Sequence, residues 1–192
     1  LVGGETAEMP DVYGEEDFDL VGCIVGVVDK PEILDGSDVE PGDVLLGIPS
    51  TGLHTNGYTL ARTVLFEAFD FDDAPDELNG ETVGEALLRV HRSYLDAIAA
   101  LREQGLARAF AHVTGGGLPG NVRRVLPDGA TAAIDYDAWE RPALFSLIQN
   151  RGDVPEADMR QTFNLGIGLV AVVRETDREA ARRVLKELGE SP

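Results

Sequence analysis

From Gly166 to Arg174 the chain reads GIGLVAVVR, an apolar run with no polar alternation, and this segment restricts the fold more than any other. It is much too short to span a membrane as a helix, and its β-branched residues suit a strand buried within a sheet. Four further runs can supply its neighbours: LVGCIVGVV from Leu20 to Val28, DVLLGIPS from Asp43 to Ser50, LARAFAHVT from Leu106 to Thr114, and ATAAIDY from Ala130 to Tyr136. Pro49 should stop the second of these before the polar loop STGLHTN.

Helical patterns lie between the strand-like runs. Tyr58, Leu60, Ala61, Val64, Leu65 and Ala68 recur at helical spacing. TVGEALLRVHRSYLDAIAALREQG predicts one long helix, with Leu87, His91, Tyr94, Leu95, Ile98 and Leu101 along one side and Gly105 as its stop. RPALFSLIQNRG predicts another. TDREAARRVLKELGE predicts a last helix, capped by Thr176 with Glu179 three residues on, and apolar at Ala180, Val184 and Leu188. DFDDAPDELNG reads as a solvated loop. The sum is an α+β fold, a mixed β-sheet of five strands flanked by helices.

Composition narrows the function classes. The chain has 192 residues, 35 of them acidic and 16 basic, for a formal net charge of −19, and its lysines are Lys30 and Lys186. Such a surface repels nucleic acid. It also resembles proteins adapted to high salt, where screening removes the self-repulsion. The single cysteine, Cys23, excludes an internal disulfide and suits a reducing, cytoplasmic compartment. Neither a membrane span nor a secretory leader is indicated. The opening LVGGETAEMP, without methionine, reads as the inside of a motif and so as a fragment.

Familiar nucleotide and catalytic signatures are missing. No glycine run leads into Lys-Ser or Lys-Thr, FNLGIGLV is followed by no helix, and no Gly-x-Ser-x-Gly occurs. The three histidines, His54, His91 and His112, stand far apart without ligand spacing, so no zinc site is expected.

Four clusters remain: GGETAEMP, STGLHTNGY, HVTGGGLPGN and MRQTFNLGIG. Each joins glycines, which allow close backbone approach, to short polar groups. His54, in a glycine-bounded loop between a strand end and a helix start, suits proton transfer or phosphate contact, or local capping. Asn56 reads as a ligand contact, as the N-cap of the helix that follows, or as both. His112 alternates with Phe110 and Ala111 and reads as a buried core histidine. Three successive glycines, Gly115, Gly116 and Gly117, exceed the needs of one tight turn. Their amides, with Thr114 and Asn121 as side-chain donors, make a candidate phosphate cradle, with a packing turn as the other reading. Thr162 and Asn164 are turn formers or ligand donors.

In order and spacing, LVGGETAEMPDVY, HTNGYTLAR, RSYLDAI, HVTGGG, RVLP, WERPALFSLIQ and TFNLGIGL resemble aminoimidazole ribonucleotide synthetase, the phosphoribosylformylglycinamidine cyclo-ligase of purine synthesis. The resemblance implies ATP-dependent ring closure of formylglycinamidine ribonucleotide, with ATP and Mg²⁺ as cofactors. It implies residues 1–30 as the tail of an N-terminal ATP-binding domain and 31–192 as the C-terminal synthetase domain lacking its last strand. The missing N-terminal domain, a small-molecule substrate and a second copy in a homodimer are then the partners. His54 becomes the catalytic residue. Asn56, Thr114, Gly115, Gly116, Gly117, Asn121, Thr162 and Asn164 become substrate or phosphate contacts, and Glu5, Thr6 and Glu8 lie near nucleotide or metal. Gly120, Gln161 and His91 depart from the family pattern, in which glutamate, arginine and threonine are usual. A non-catalytic module binding a phosphorylated small molecule is the alternative.

Overall fold

A computed structural model describes residue 14, residues 16–18 and residues 22–192. The chain divides into two units, Leu1–Ile33 and Leu34–Pro192. In the first, residues 22–29 have no regular structure, Ile24, Val25 and Val27 are exposed, and a 3₁₀ turn spans Lys30–Glu32. The strand expected over Leu20–Val28 is therefore not formed in its described part. A strand is completed by a neighbour's backbone groups, and the described residues of its own unit supply none to this segment.

The second unit is built on a three-stranded sheet: β1 (Val44–Pro49), β2 (Ala107–His112) and β3 (Ile167–Val173), in the order β1-β3-β2. The apolar run that anchors the sequence reading is the central strand, and all seven of its residues are buried. Both neighbours are antiparallel to it: Leu46 faces Ala171 and Ile48 faces Leu169 on one side, and Phe110 faces Ala171 and His112 faces Leu169 on the other. The sheet is thus antiparallel among the described residues, not mixed, because both edges were recruited by one strand running the other way. The expected strand over Ala130–Tyr136 is absent. Its residues keep a period of two, with Ala132, Ile134 and Tyr136 half-buried and Thr131, Ala133 and Asp135 exposed, but they pack on the sheet without joining its ladder.

Helices cover the sheet: α1 (Tyr58–Ala68), α2 (Val83–Leu87), α3 (Leu95–Glu103), α4 (Gly117–Val122), α5 (Ala143–Gly152), α6 (Glu156–Thr162) and α7 (Arg178–Glu187). On one face Leu169, Ala171 and Val173 meet Ala97 and Leu101 of α3 and Ala181 and Leu185 of α7. On the other, Ile167 and Val170 meet Ala111, Val113, Leu118 and Val122. A separate helical core gathers Ala61 and Leu65 of α1, Leu144, Phe145 and Ile148 of α5, and Met159 of α6. No helix of the described residues is long and apolar enough to cross a membrane.

Two helix expectations change. The predicted single helix from Thr82 to Gly105 is broken into α2 and α3, and residues 88–94 leave helical geometry. Tertiary hydrogen bonds outcompete the helix there: Thr51 Oγ1 donates to the Val90 carbonyl at 2.7 Å, and Tyr94 OH donates to the Pro49 carbonyl at 2.9 Å. Helix α7 starts at Arg178 without a side-chain cap, since Asp177 instead pairs with Arg174 at 3.0 Å. Its buried face centres on Ala181 and Leu185, with the expected Val184 half-buried beside them, Ala180 half-buried and Leu188 exposed.

Candidate functional site

The loop between β1 and α1, residues 50–57, meets three other segments. Asn164, only 3% exposed, reaches it from the turn before β3: its Nδ2 donates to the carbonyls of Gly52 at 2.8 Å and Leu53 at 3.2 Å, while its Oδ1 accepts from Ser50 Oγ at 2.9 Å and Gly166 N–H at 2.8 Å. With both ends of its carboxamide occupied, Asn164 shapes the loop and offers no donor to a ligand. That bracing holds His54 in the left-handed region, at φ 61°, where a residue with a Cβ is rarely found.

The glycine run after β2 is shaped by Asn121 in the same manner. This buried side chain accepts from Thr114 Oγ1 at 3.1 Å and donates to the carbonyls of Thr114, Gly115 and Gly117 at 3.1, 3.3 and 2.8 Å. Gly116 and Gly117 have φ of 95° and 63°, and a Cβ on Gly117 would overlap the Arg160 carbonyl at the end of α6. Backbone geometry therefore explains two of the three glycines. The Gly117 amide bonds back to the Thr114 carbonyl at 3.1 Å, whereas the amides of Gly115 and Gly116 donate to no acceptor among the described residues. A Cβ on Gly115 would come within 3.2 Å of Asn56 Oδ1, so the first loop and the glycine run lie side by side. Asn56 does not cap α1. That position belongs to Gly57, and Asn56 Nδ2 donates instead to Thr55 Oγ1 at 3.1 Å. Thr162 is half-buried at the end of α6. Glu5, Thr6 and Glu8 lie outside the described residues.

The sequence reading missed the histidines' meeting. Although far apart in the chain, His54, His91 and His112 offer ligand nitrogens that all lie within 4.8 Å of one another. The His54 and His91 ring centres are 3.8 Å apart, and His91 Nε2 lies 3.2 Å from His112 Nε2. The break between α2 and α3 makes this possible by taking His91 off the helix stripe. Gly168 makes it possible from below, because a Cβ there would overlap the Tyr94 hydroxyl and stand 2.6 Å from His54 Cε1. His54 is buried, His91 half-buried and His112 exposed, so the group runs from the core to the surface and His112 is not the core histidine expected.

Burial is the main cause that pulls the His54 ring down to about 4, with the neighbouring His91, His112 and Arg92 charges adding to it. His54 is therefore neutral near pH 7. Its Nε2 accepts from the Thr51 amide at 3.1 Å, which places the proton on Nδ1, a buried atom without a partner among the described residues. Partial loss of solvent around its ring at the mouth of the group, with the His91 charge beside it, also lowers His112. Arg92 reaches the Pro49 carbonyl at 3.3 Å and pairs with the buried Glu190.

Residues 40–192 match the family model described as AIR synthase related protein, C-terminal domain. A curated phosphoribosylformylglycinamidine cyclo-ligase of Anaeromyxobacter dehalogenans (strain 2CP-1 / ATCC BAA-258) is 51% identical over 189 residues, 98% of this chain and 55% of that protein. One of Sorangium cellulosum (strain So ce56) is 48% identical over 194 residues, 99% of this chain and 56% of that protein. The chain thus spans little more than half the length of these relatives.

Proposed function

Because the chain belongs to the phosphoribosylformylglycinamidine cyclo-ligase family, we propose that it is the C-terminal part of an enzyme that closes the imidazole ring of aminoimidazole ribonucleotide from formylglycinamidine ribonucleotide. The observation that carries this is identity of about half over 98% of the chain with a relative of that name. In this reading residues 1–30 are the tail of a nucleotide-binding domain and 31–192 the synthetase domain.

ATP would supply the phosphoryl group that turns the formamide oxygen into a leaving phosphate, after which the amidine nitrogen forms the new C–N bond as the C–O bond breaks. What the described residues contribute is positioning. The amides of Gly115 and Gly116, with no acceptor among the described residues, hold a substrate phosphate beside Asn56 and Thr114, while Asn121 and Asn164 keep the two loops in register. His54, neutral and left with an unpartnered Nδ1–H, serves as a hydrogen-bond donor or proton carrier next to that cradle. Mg²⁺ takes oxygen ligands, and the clustered groups here are imidazoles, so magnesium does not fit this part of the site. Glu5 and Glu8 are the acidic groups proposed for its neighbourhood.

The test is ADP formation dependent on formylglycinamidine ribonucleotide by the complete polypeptide that bears this chain. His54→Gln should lower turnover by about 10²-fold while leaving the protein folded. Full turnover in a folded variant removes His54 from the chemistry, and no substrate-dependent ADP from the unaltered protein overturns the reading.

A further inference from the structure

We propose that His54, His91 and His112 together form a binding site for a divalent transition-metal ion that prefers imidazole, such as zinc or nickel, held by three ring nitrogens with a position left for water. Three observations converge on it. The first is spacing. Ligand nitrogens about 2.0–2.1 Å from a tetrahedral ion stand roughly 3.3 Å apart, and His91 Nε2 and His112 Nε2 are separated by 3.2 Å, with every ligand pair inside 4.8 Å. The second is orientation. His91 Nδ1 lies 2.7 Å from the Arg92 carbonyl, so this nitrogen carries the proton and Nε2 is left with its lone pair toward His112. A backbone acceptor on the far ring nitrogen is the outer contact that ligating histidines commonly have. The third is the buried His54 Nδ1, which no group among the described residues satisfies.

Without an ion, the facing nitrogens of His91 and His112 share one proton. An ion replaces that proton, which moves to His112 Nδ1 or to solvent. His54 joins through Nδ1; its proton passes to Nε2 and displaces the Thr51 amide, so loading rearranges the braced loop. The ion enters from the His112 side, which is exposed. The nearby Arg92 charge is offset by Glu190, and the Tyr94 hydroxyl, already bonded to the Pro49 carbonyl, leaves the nitrogens as the available donors. Imidazole nitrogen selects borderline transition ions over magnesium or calcium.

Loading removes the Nδ1 proton that the cyclo-ligase reading gives to His54, so the two readings describe the ion-loaded and the ion-free site, and the test measures binding and not turnover. The complete tag-free protein, stripped with chelator, is titrated with Co²⁺ and then Zn²⁺ in excess magnesium chloride, which occupies the acidic surface. One equivalent of Co²⁺ should give the visible absorption of a tetrahedral ion, and one equivalent of Zn²⁺ should bleach it. His91→Thr, shown to be folded by its circular dichroism, should weaken binding by more than the roughly 10–100-fold that outer contacts cost. Absence of a one-equivalent site in the unaltered protein, or a His91→Thr loss no larger than the roughly 100-fold of an outer contact, overturns the proposal.

Discussion

Glu156 shows how one side chain orders several neighbours. It receives bonds from Arg141 at 2.7 and 3.0 Å, from Gln149 at 2.9 Å and from Arg160 at 2.7 Å. Arg141 above all, with Arg160 and Gln149, holds its carboxyl down to about 2 against the opposing effect of burial. A carboxylate depressed in the folded state stabilises the fold above its unfolded value near 4.5 and loses that contribution as pH falls from there to about 2. The difference in denaturation midpoint between the unaltered chain and Glu156→Gln should therefore be constant above pH 4.5 and shrink below it. A difference independent of pH through that window would mean that the ion pairs contribute nothing. Residue chemistry of this kind was only partly legible in the sequence. His54, Asn56 and the glycine run could be singled out by type and spacing, but the partners of Asn121 and Asn164 could not, because their bonds reach across the turns and over more than a hundred residues.

Among the elements, those that their own pattern fixes were read correctly, namely the periodic α1 and α5 and the apolar runs of the three strands that pair. The misreadings arose where tertiary contacts decide. Residues 88–94 carry helical spacing yet are drawn out of the helix by Thr51 and Pro49, and that departure delivers His91 to the other imidazoles. Ala130–Tyr136 keeps the alternation of a strand without a ladder, since alternation reports which side chains are buried and says nothing of backbone partners. The glycine turn before α4 depends on one carboxamide. Asn121→Ala should remove its three donated bonds, the buried one to the Gly117 carbonyl among them, and destabilise the chain by about 1–3 kcal/mol, read as a lower denaturant midpoint with unchanged slope. A midpoint equal to that of the unaltered protein would show that the turn is held by backbone alone.

For the whole molecule the governing quantity is charge. With a net −19 on 192 residues, self-repulsion opposes compaction, and added salt screens it. The thermal midpoint should rise as potassium chloride is raised from low to molar concentration; a flat or falling midpoint would remove the case for salt adaptation. Charge, however, does not decide the order in which the parts come together. The central strand is the last of the three to be synthesised, and both edge strands depend on it: Val44 and Ala107 both find their partner at Val173. At roughly 5–20 residues per second, a ribosome that has completed β2 needs several more seconds to deliver β3. During that interval the two finished strands have no mate within their own sheet, and their apolar faces must wait beside the ribosome. Folding of this sheet consequently waits for the last of its three strands and is closed by the arrival of its middle.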